Sequence, residues 1–208
     1  MKLVVLGANG RTGKLVVQAA LERGMEVTAV VRSAKKMPAN QNERLTVLIG
    51  NPCDKKFLKH VLHGQDAVIS ALGGRKPTRA ATSVYYRSAD ALVDAAWETG
   101  LRRILVTSTA LLFDGQTVAG KILCRLVPNV VGSARRMEDI LKASHLNWTS
   151  ARPGFLSDGD GVGYRAQKNK LPKNGTSVTR RALARFLIDA VESPETDCAV
   201  FGVSNEIA

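Results

Sequence analysis

The sequence predicts an α/β fold: a single doubly wound domain over residues 1–208, with a mostly parallel sheet and helices on both faces. Three observations predict it. Short apolar runs alternate with stretches of helical periodicity, the pattern of successive βα units. A glycine-rich turn, GANGRTG at residues 7–13, follows the first apolar run directly. And 208 residues suffice for one well-buried core but are short for two, with no repeat, low-complexity tract or linker to divide them.

The elements follow in order. Residues 2–6 (KLVVL) read as a buried strand. Residues 11–23 form a helix with Leu15, Val16, Ala19, Ala20 and Leu21 as its apolar positions, stopped by Gly24. Strands follow at 26–31 and 45–49, then a helix at 54–62 with Phe57, Leu58, Val61 and Leu62 on one face. A fourth strand, 66–71, runs into Leu72, Gly73 and Gly74. A long helix at 81–99 turns Val84, Leu92, Val93 and Ala96 inward and stops at Gly100. Residues 103–107 are a fifth strand, 132–144 a helix, 148–151 a sixth strand, 178–192 contain a helix, and 198–203 close the sheet. The segment 157–175 is rich in Gly, Asp, Asn and Lys and reads as a mobile surface excursion over the active face. The part from about residue 152 onward is expected to complete the substrate side of the same domain.

Composition narrows the function classes. No apolar run approaches the roughly 20 residues that span a bilayer. The four apolar residues after Lys2 are too few for a secretory leader. Cys53, Cys124 and Cys198 are widely spaced and form no metal set with His60, His63 and His145, so no metal is expected. They read as reduced structural thiols of a cytoplasmic protein. The net charge of +12 favours anionic ligands. Its Lys and Arg residues are scattered without aromatic interleaving or a DNA-binding motif, so neither nucleic acid nor membrane is an expected partner.

The glycine turn carries the chemistry. It lies between a strand and a helix, where a dinucleotide's phosphates bind in a Rossmann unit. Gly7 allows the tight turn, Gly10 lets backbone approach the pyrophosphate, and Gly13 allows helix and strand to pack closely. Asn9, Arg11 and Thr12 complete the loop, and the helix opening there offers free N–H groups and a partial positive charge. The end of the second strand decides the cofactor. NAD sites usually place a carboxylate there for the ribose 2′-hydroxyl. This chain has Arg32, with Ser33 beside it and Lys35 and Lys36 following. An arginine pairs with a 2′-phosphate, so NADP(H) is expected over NAD(H). Arg11 is placed to stack on the adenine or add a second contact.

Five segments in this order and spacing, GANGRTG, VVRSAKK, DAVISALGG, ILVTST and SARPGFL, resemble the atypical short-chain dehydrogenase/reductases. Within them the likeness is to the NAD(P)-binding group that includes biliverdin-IXβ reductase/flavin reductase and the NmrA-like proteins, and it covers almost the whole chain. The resemblance implies further site residues. Asn51, with Pro52 beside it, stands where relatives carry an acidic residue near the adenine. Ala71, Leu72 and Gly73 are implied beside the ribose and pyrophosphate, and Thr107 and Ser108 next to the nicotinamide. Pro153, Gly154, Phe155 and Leu156 are implied as the loop whose backbone meets the carboxamide.

One departure matters. Typical members carry YxxxK on the helix after the fifth strand, where Lys lowers the Tyr pKa for proton transfer. The corresponding helix here reads Ser133-Ala134-Arg135-Arg136-Met137-Glu138, without a tyrosine. Tyr164 and Lys168 match YxxxK by letter but lie in the 157–175 segment, and Tyr85 and Tyr86 are expected to pack or to face a subunit neighbour. Alcohol–ketone chemistry is therefore disfavoured. Hydride transfer to a small electron acceptor that needs little acid catalysis, such as a flavin, quinone or linear tetrapyrrole, is favoured, with Ser108 as the candidate catalytic hydroxyl. The alternative is a non-enzymatic, NmrA-like NADP(H) sensor. A sugar-nucleotide epimerase would need the missing pair and a larger C-terminal domain. The chain is expected as a monomer or homodimer.

Overall fold

A computed structural model describes residues 1–33, 42–74, 76–114 and 118–206. Lys35 and Lys36, read above as part of the basic stretch, lie outside the described residues.

Among the described residues the central sheet has eight strands. They are β1 (Lys2–Leu6), β2 (Glu26–Val31), β3 (Leu45–Ile49), β4 (Ala67–Ser70), β5 (Arg103–Thr107), β6 (Asn147–Pro153), β8 (Tyr164–Lys168) and β10 (Ala199–Asn205). A separate two-stranded ribbon pairs β7 (Phe155–Ser157) with β9 (Ser177–Thr179). The sheet order is β3-β2-β1-β4-β5-β6-β10-β8. All neighbours run parallel except β8, which is antiparallel to β10 at the edge. The chain starts near the middle, winds out through β2 and β3, then returns past β1 to build the other half. That reversal between β1 and β4 opens a crevice at the carboxyl ends of the strands.

Burial on both faces explains why the first strands are continuous apolar runs. In β1, Leu3 and Val5 face one core while Val4 and Leu6 face the other. The first core lies under α1 (Arg11–Glu22) and α7 (Arg180–Glu192), and the second under α2 (Lys55–Leu62), α4 (Val84–Thr99) and α6 (Pro128–Ala143). Caps set the helix starts. Asp54 accepts from the backbone N–H groups of Lys56 and Phe57 to begin α2, and Thr179 accepts from Ala182 N–H to begin α7. Gly100, at φ +76°, ends α4.

Three expectations are corrected. The helix read at 81–99 is two: a short α3 (Arg79–Thr82) capped by Thr78, then α4. The helix read from 132 begins at Pro128, whose fixed φ suits a first turn, and is preceded by α5 (Val118–Leu126). The segment 157–175 is not simply an excursion, because it contains β8, with Tyr164 opposite Asn205 and Lys168 opposite Phe201. An edge strand has only one neighbour, so YRAQK needs no continuous apolar run and gives a weak strand signal.

Candidate functional site

The crevice between β1 and β4 is a cavity of about 570 Å³. Its floor is the glycine turn. Gly7 has φ +77°, a conformation that L side chains rarely adopt, and a Cβ there would come within 3.1 Å of the Ala71 carbonyl oxygen. Gly10 N–H donates to the Gly7 carbonyl at 2.9 Å. A Cβ on Gly13 would fall on the Gly7 carbonyl, so only glycine lets α1 begin this close to β1. Gly10 is the N-cap of α1 and has no side chain to occupy the first-turn N–H groups. Those donors therefore face the cavity.

Gly7, Asn9, Gly10, Arg11, Thr12, Arg32, Pro52, Ala71, Leu72, Gly73 and Leu156 all line this cavity. Asn9 Nδ2 donates to the Ser33 carbonyl at 3.3 Å, tying the glycine turn to the segment after β2. Asn51 is not among the lining residues. Its Oδ1 accepts from Cys53 N–H at 3.0 Å, building the turn that carries Pro52 to the wall.

Gly13, Thr107, Ser108, Pro153, Gly154 and Phe155 are not among the lining residues either; all but Gly13 sit at or just after the ends of β5 and β6. Thr107 Oγ donates to the Ser70 carbonyl at 3.3 Å, and Ser108 N–H to the Ala151 carbonyl at 2.7 Å. Ser108 Oγ is buried and has no partner with hydrogen-bonding geometry among the described residues. It does face Glu138 of α6, which is 1% exposed. Glu138 takes a bidentate pair from Arg152 at 2.9 and 2.6 Å and a hydrogen bond from Ser150 at 2.8 Å. Burial pushes the Glu138 carboxyl up, but Arg152, Ser108 and Ser150 outweigh it and hold it below the usual range. Arg152 also lies over the Phe113 ring at 4.7 Å. Pro153 ends β6. Gly154 N–H donates to the Val203 carbonyl, and a Cβ there would meet the Thr176 carbonyl at 2.5 Å. Phe155 points outward, 67% exposed.

Sequence reasoning missed Gly74, Ala81, Val84, Tyr85 and Arg180, which also line the cavity. Tyr85, expected to pack or face a neighbour, stands in the wall, its hydroxyl close to Gly73 and Gly74. Burial raises its pKa, opposed by the Gly74 backbone. Its position directly after the α3 break was the signal, and the break itself was not legible. Tyr86 instead packs under the Arg136 guanidinium, 4.2 Å from the ring centre. Tyr164 lies outside the cavity on β8. Its hydroxyl donates to Asp189 at 2.9 Å and is pushed up to about 12, chiefly by burial. Lys168 is four strand residues away, roughly 13 Å along an extended chain.

The cleft fits a dinucleotide. Its turn leaves no room for a Cβ at Gly7 or Gly13, a run of helix N–H groups faces it, and Arg11, Arg32 and Arg180 line it with no carboxylate among the described lining residues. A family model described as NAD(P)H-binding matches residues 7–194. The chain belongs to this NAD(P)H-binding family. It is similar to an uncharacterised chloroplastic protein of Arabidopsis thaliana, 28% identical over 214 residues, which covers 96% of this chain and 75% of the relative. A solved candidate NADH-flavin reductase from Streptococcus pneumoniae superposes with a TM-score of 0.79 at 25% identity, covering 99% of this chain and 100% of that one. A short-chain dehydrogenase/reductase from Veillonella parvula in complex with NADP shares the fold, with a TM-score of 0.77 at 20% identity over 98% of this chain and 94% of that one. As in its family, the architecture is a mostly parallel Rossmann-like sheet with helices around it. Among the described residues no helix is long and apolar enough to cross a membrane, and no group of three His, Cys, Asp or Glu could hold a metal.

Proposed function

We propose that this chain is an NADPH-dependent reductase that passes hydride to a flavin, a quinone or a similar small acceptor without a Tyr–Lys acid pair. The observation that carries this reading is the charge of the cleft: three arginines line it, and Arg32 stands at the end of β2 beside Pro52, where a carboxylate would select NAD(H). Arg32 pairs with the 2′-phosphate, and the α1 N-terminus and Arg11 hold the diphosphate. A bound nicotinamide supplies the hydride.

The remaining groups orient and exclude. Ser108 carries a buried hydroxyl beside Glu138 just after β5, and this reading assigns it to the acceptor or to the carboxamide. Glu138, fixed by Arg152 and Ser150, backs that hydroxyl. Leu156, which follows Pro153 and Gly154 on the chain, and Tyr85 line the cleft and keep water from one flank of it. Solvent provides the proton, since the acceptors in question need little acid catalysis. On this reading Tyr164 and Lys168 take no part. The proposal keeps the chain as one domain, monomeric or homodimeric, in a cytoplasmic setting, with a small-molecule acceptor as its partner.

The test is a panel of FMN, riboflavin, dichlorophenolindophenol and small quinones with NADPH or NADH, followed by loss of nicotinamide absorbance. NADPH-preferring turnover is expected. Tight NADPH binding without turnover on any acceptor would point instead to an NADP(H) sensor, and equal or tighter NADH binding would sink the cofactor assignment.

A further inference from the structure

At the rim of the cleft one carboxylate joins two of its arginines. Arg180, the first residue of α7, lines the cavity, and its side chain is only 8% exposed. Its Nη1 donates to Asp158 Oδ1 at 2.6 Å. The other oxygen, Oδ2, accepts from Arg11 Nη1 at 3.1 Å, and Arg11 is the first residue of α1, in the glycine turn. Asp158 itself is 63% exposed and does not line the cavity. It belongs to the connection between β7 and β8, which carries Gly159, Gly161 and Gly163. That connection is tied down where the Thr179 hydroxyl donates to the Gly161 carbonyl.

A guanidinium buried at a cavity wall needs an anionic partner. In the free protein Asp158 is that partner. The pair is lopsided, because one member is buried and the other stands mostly in water. A carboxylate so exposed holds its arginine weakly. A diphosphate seated on the glycine turn offers the same two arginines more charge and more acceptor oxygens. It would also stand close to Asp158, and like charges repel.

We propose that Arg180 is a diphosphate-binding residue of the cleft, and that Asp158 is a resident anion displaced when a dinucleotide enters. The proposal rests on the reading of the cleft as a dinucleotide site and is independent of the acceptor and of the preference for the 2′-phosphate. The diphosphate is common to NADPH and NADH, so a change at Arg180 or Asp158 alters both affinities by the same factor and leaves their ratio alone. That ratio is assigned to Arg32, at the end of β2.

The experiment is equilibrium binding of NADPH and NADH to the full chain, with inorganic pyrophosphate as a competitor. It compares wild type, Asp158→Asn and Arg180→Gln, with circular dichroism as a check on folding. Asp158→Asn is expected to tighten both nucleotides and pyrophosphate about two- to fivefold. Arg180→Gln is expected to weaken all three about tenfold or more. Asp158→Asn that weakens binding or leaves it unchanged would overturn the proposal, the former result meaning that Asp158 clasps the bound ligand instead of competing with it. If Arg180→Gln does not fold, the exposed Asp158 decides alone. Wild type that binds neither nucleotide overturns the cleft reading itself, an outcome distinct from wild-type-like affinities in both variants.

Discussion

Two parts of the candidate site are made of different material. Over β1, β2 and β4 the site is backbone: a left-handed Gly7, a Gly13 that touches the Gly7 carbonyl, and the N–H groups that open α1. At the ends of β5 and β6, outside the cavity lining, it is side chain: Ser108 against Glu138, with Glu138 locked to Arg152 and Ser150. A backbone site fails when an atom is added, because there is no room for a Cβ. A side-chain site fails when an atom is removed, because a buried partner is left alone. The first kind shapes the seat of the ligand, and the arginines around it set the charge it favours. The second can be altered residue by residue, and so is where the choice of acceptor can change within one fold.

The largest effect that would test this contrast is at Glu138. Glu138→Ala leaves the Arg152 guanidinium buried without its carboxylate and should cost about 3–5 kcal/mol of stability, read from the denaturant midpoint. The pH dependence follows from the same pair. The folded pKa of Glu138 is depressed, so its contribution is present above the unfolded value of about 4.3 and is lost as pH falls through the lower folded value. Glu138→Gln should flatten that part of the acid limb, and an unchanged limb would show the pair to be energetically idle.

At the other end, Gly13→Val should cost about 3 kcal/mol by overpacking against the Gly7 carbonyl and abolish NADPH binding together with stability. A folded Gly13→Val chain that still binds NADPH would break the claim that this end is built of backbone. Arg32→Ala should lose about 1–3 kcal/mol of NADPH affinity with little change for NADH, measured by fluorescence titration. Equal losses for both would remove Arg32 from the 2′-phosphate. The smallest effect is at Ser108. Ser108→Ala should lower kcat with FMN by about tenfold, the value of one hydrogen bond, while leaving the NADPH Kd in place. Unchanged turnover would take Ser108 out of the chemistry.

The same contrast explains what could be read in advance. The backbone end is written in consecutive letters: an apolar strand, glycines at fixed spacing, then a helix. Strands β1, β2, β4 and β5 were legible because their middles are buried on both faces and are almost wholly apolar. Tyr85 and Arg180 were not legible as cleft residues, because their place depends on where α3 breaks and on how α7 docks beside α1, both of them tertiary facts. Asn51 was read at the adenine by position, yet its side chain is spent on a turn. The pairing of Glu138 with Arg152 joins α6 to β6 across a hydrogen-bonded core position, and neither residue carries a local signal of it. The edge strand β8 was hidden by its polar composition, which at an edge is what keeps a strand from recruiting another chain.

The sheet order also bears on how the chain reaches this state. β10 lies between β6 and β8, so β8 is made before the strand it pairs with among the described residues. Until residues 199–205 arrive, β6 lacks its neighbour on that side, and Phe186, which packs against Tyr164, lacks Phe201. The N-terminal units can assemble through short-range crossovers as they are synthesised, whereas the C-terminal third must wait and then close in one long-range step. Loop-closure entropy falls on that step. Refolding is therefore expected to be paced by docking of β10, and the interval before it is the chain's period of exposure to aggregation.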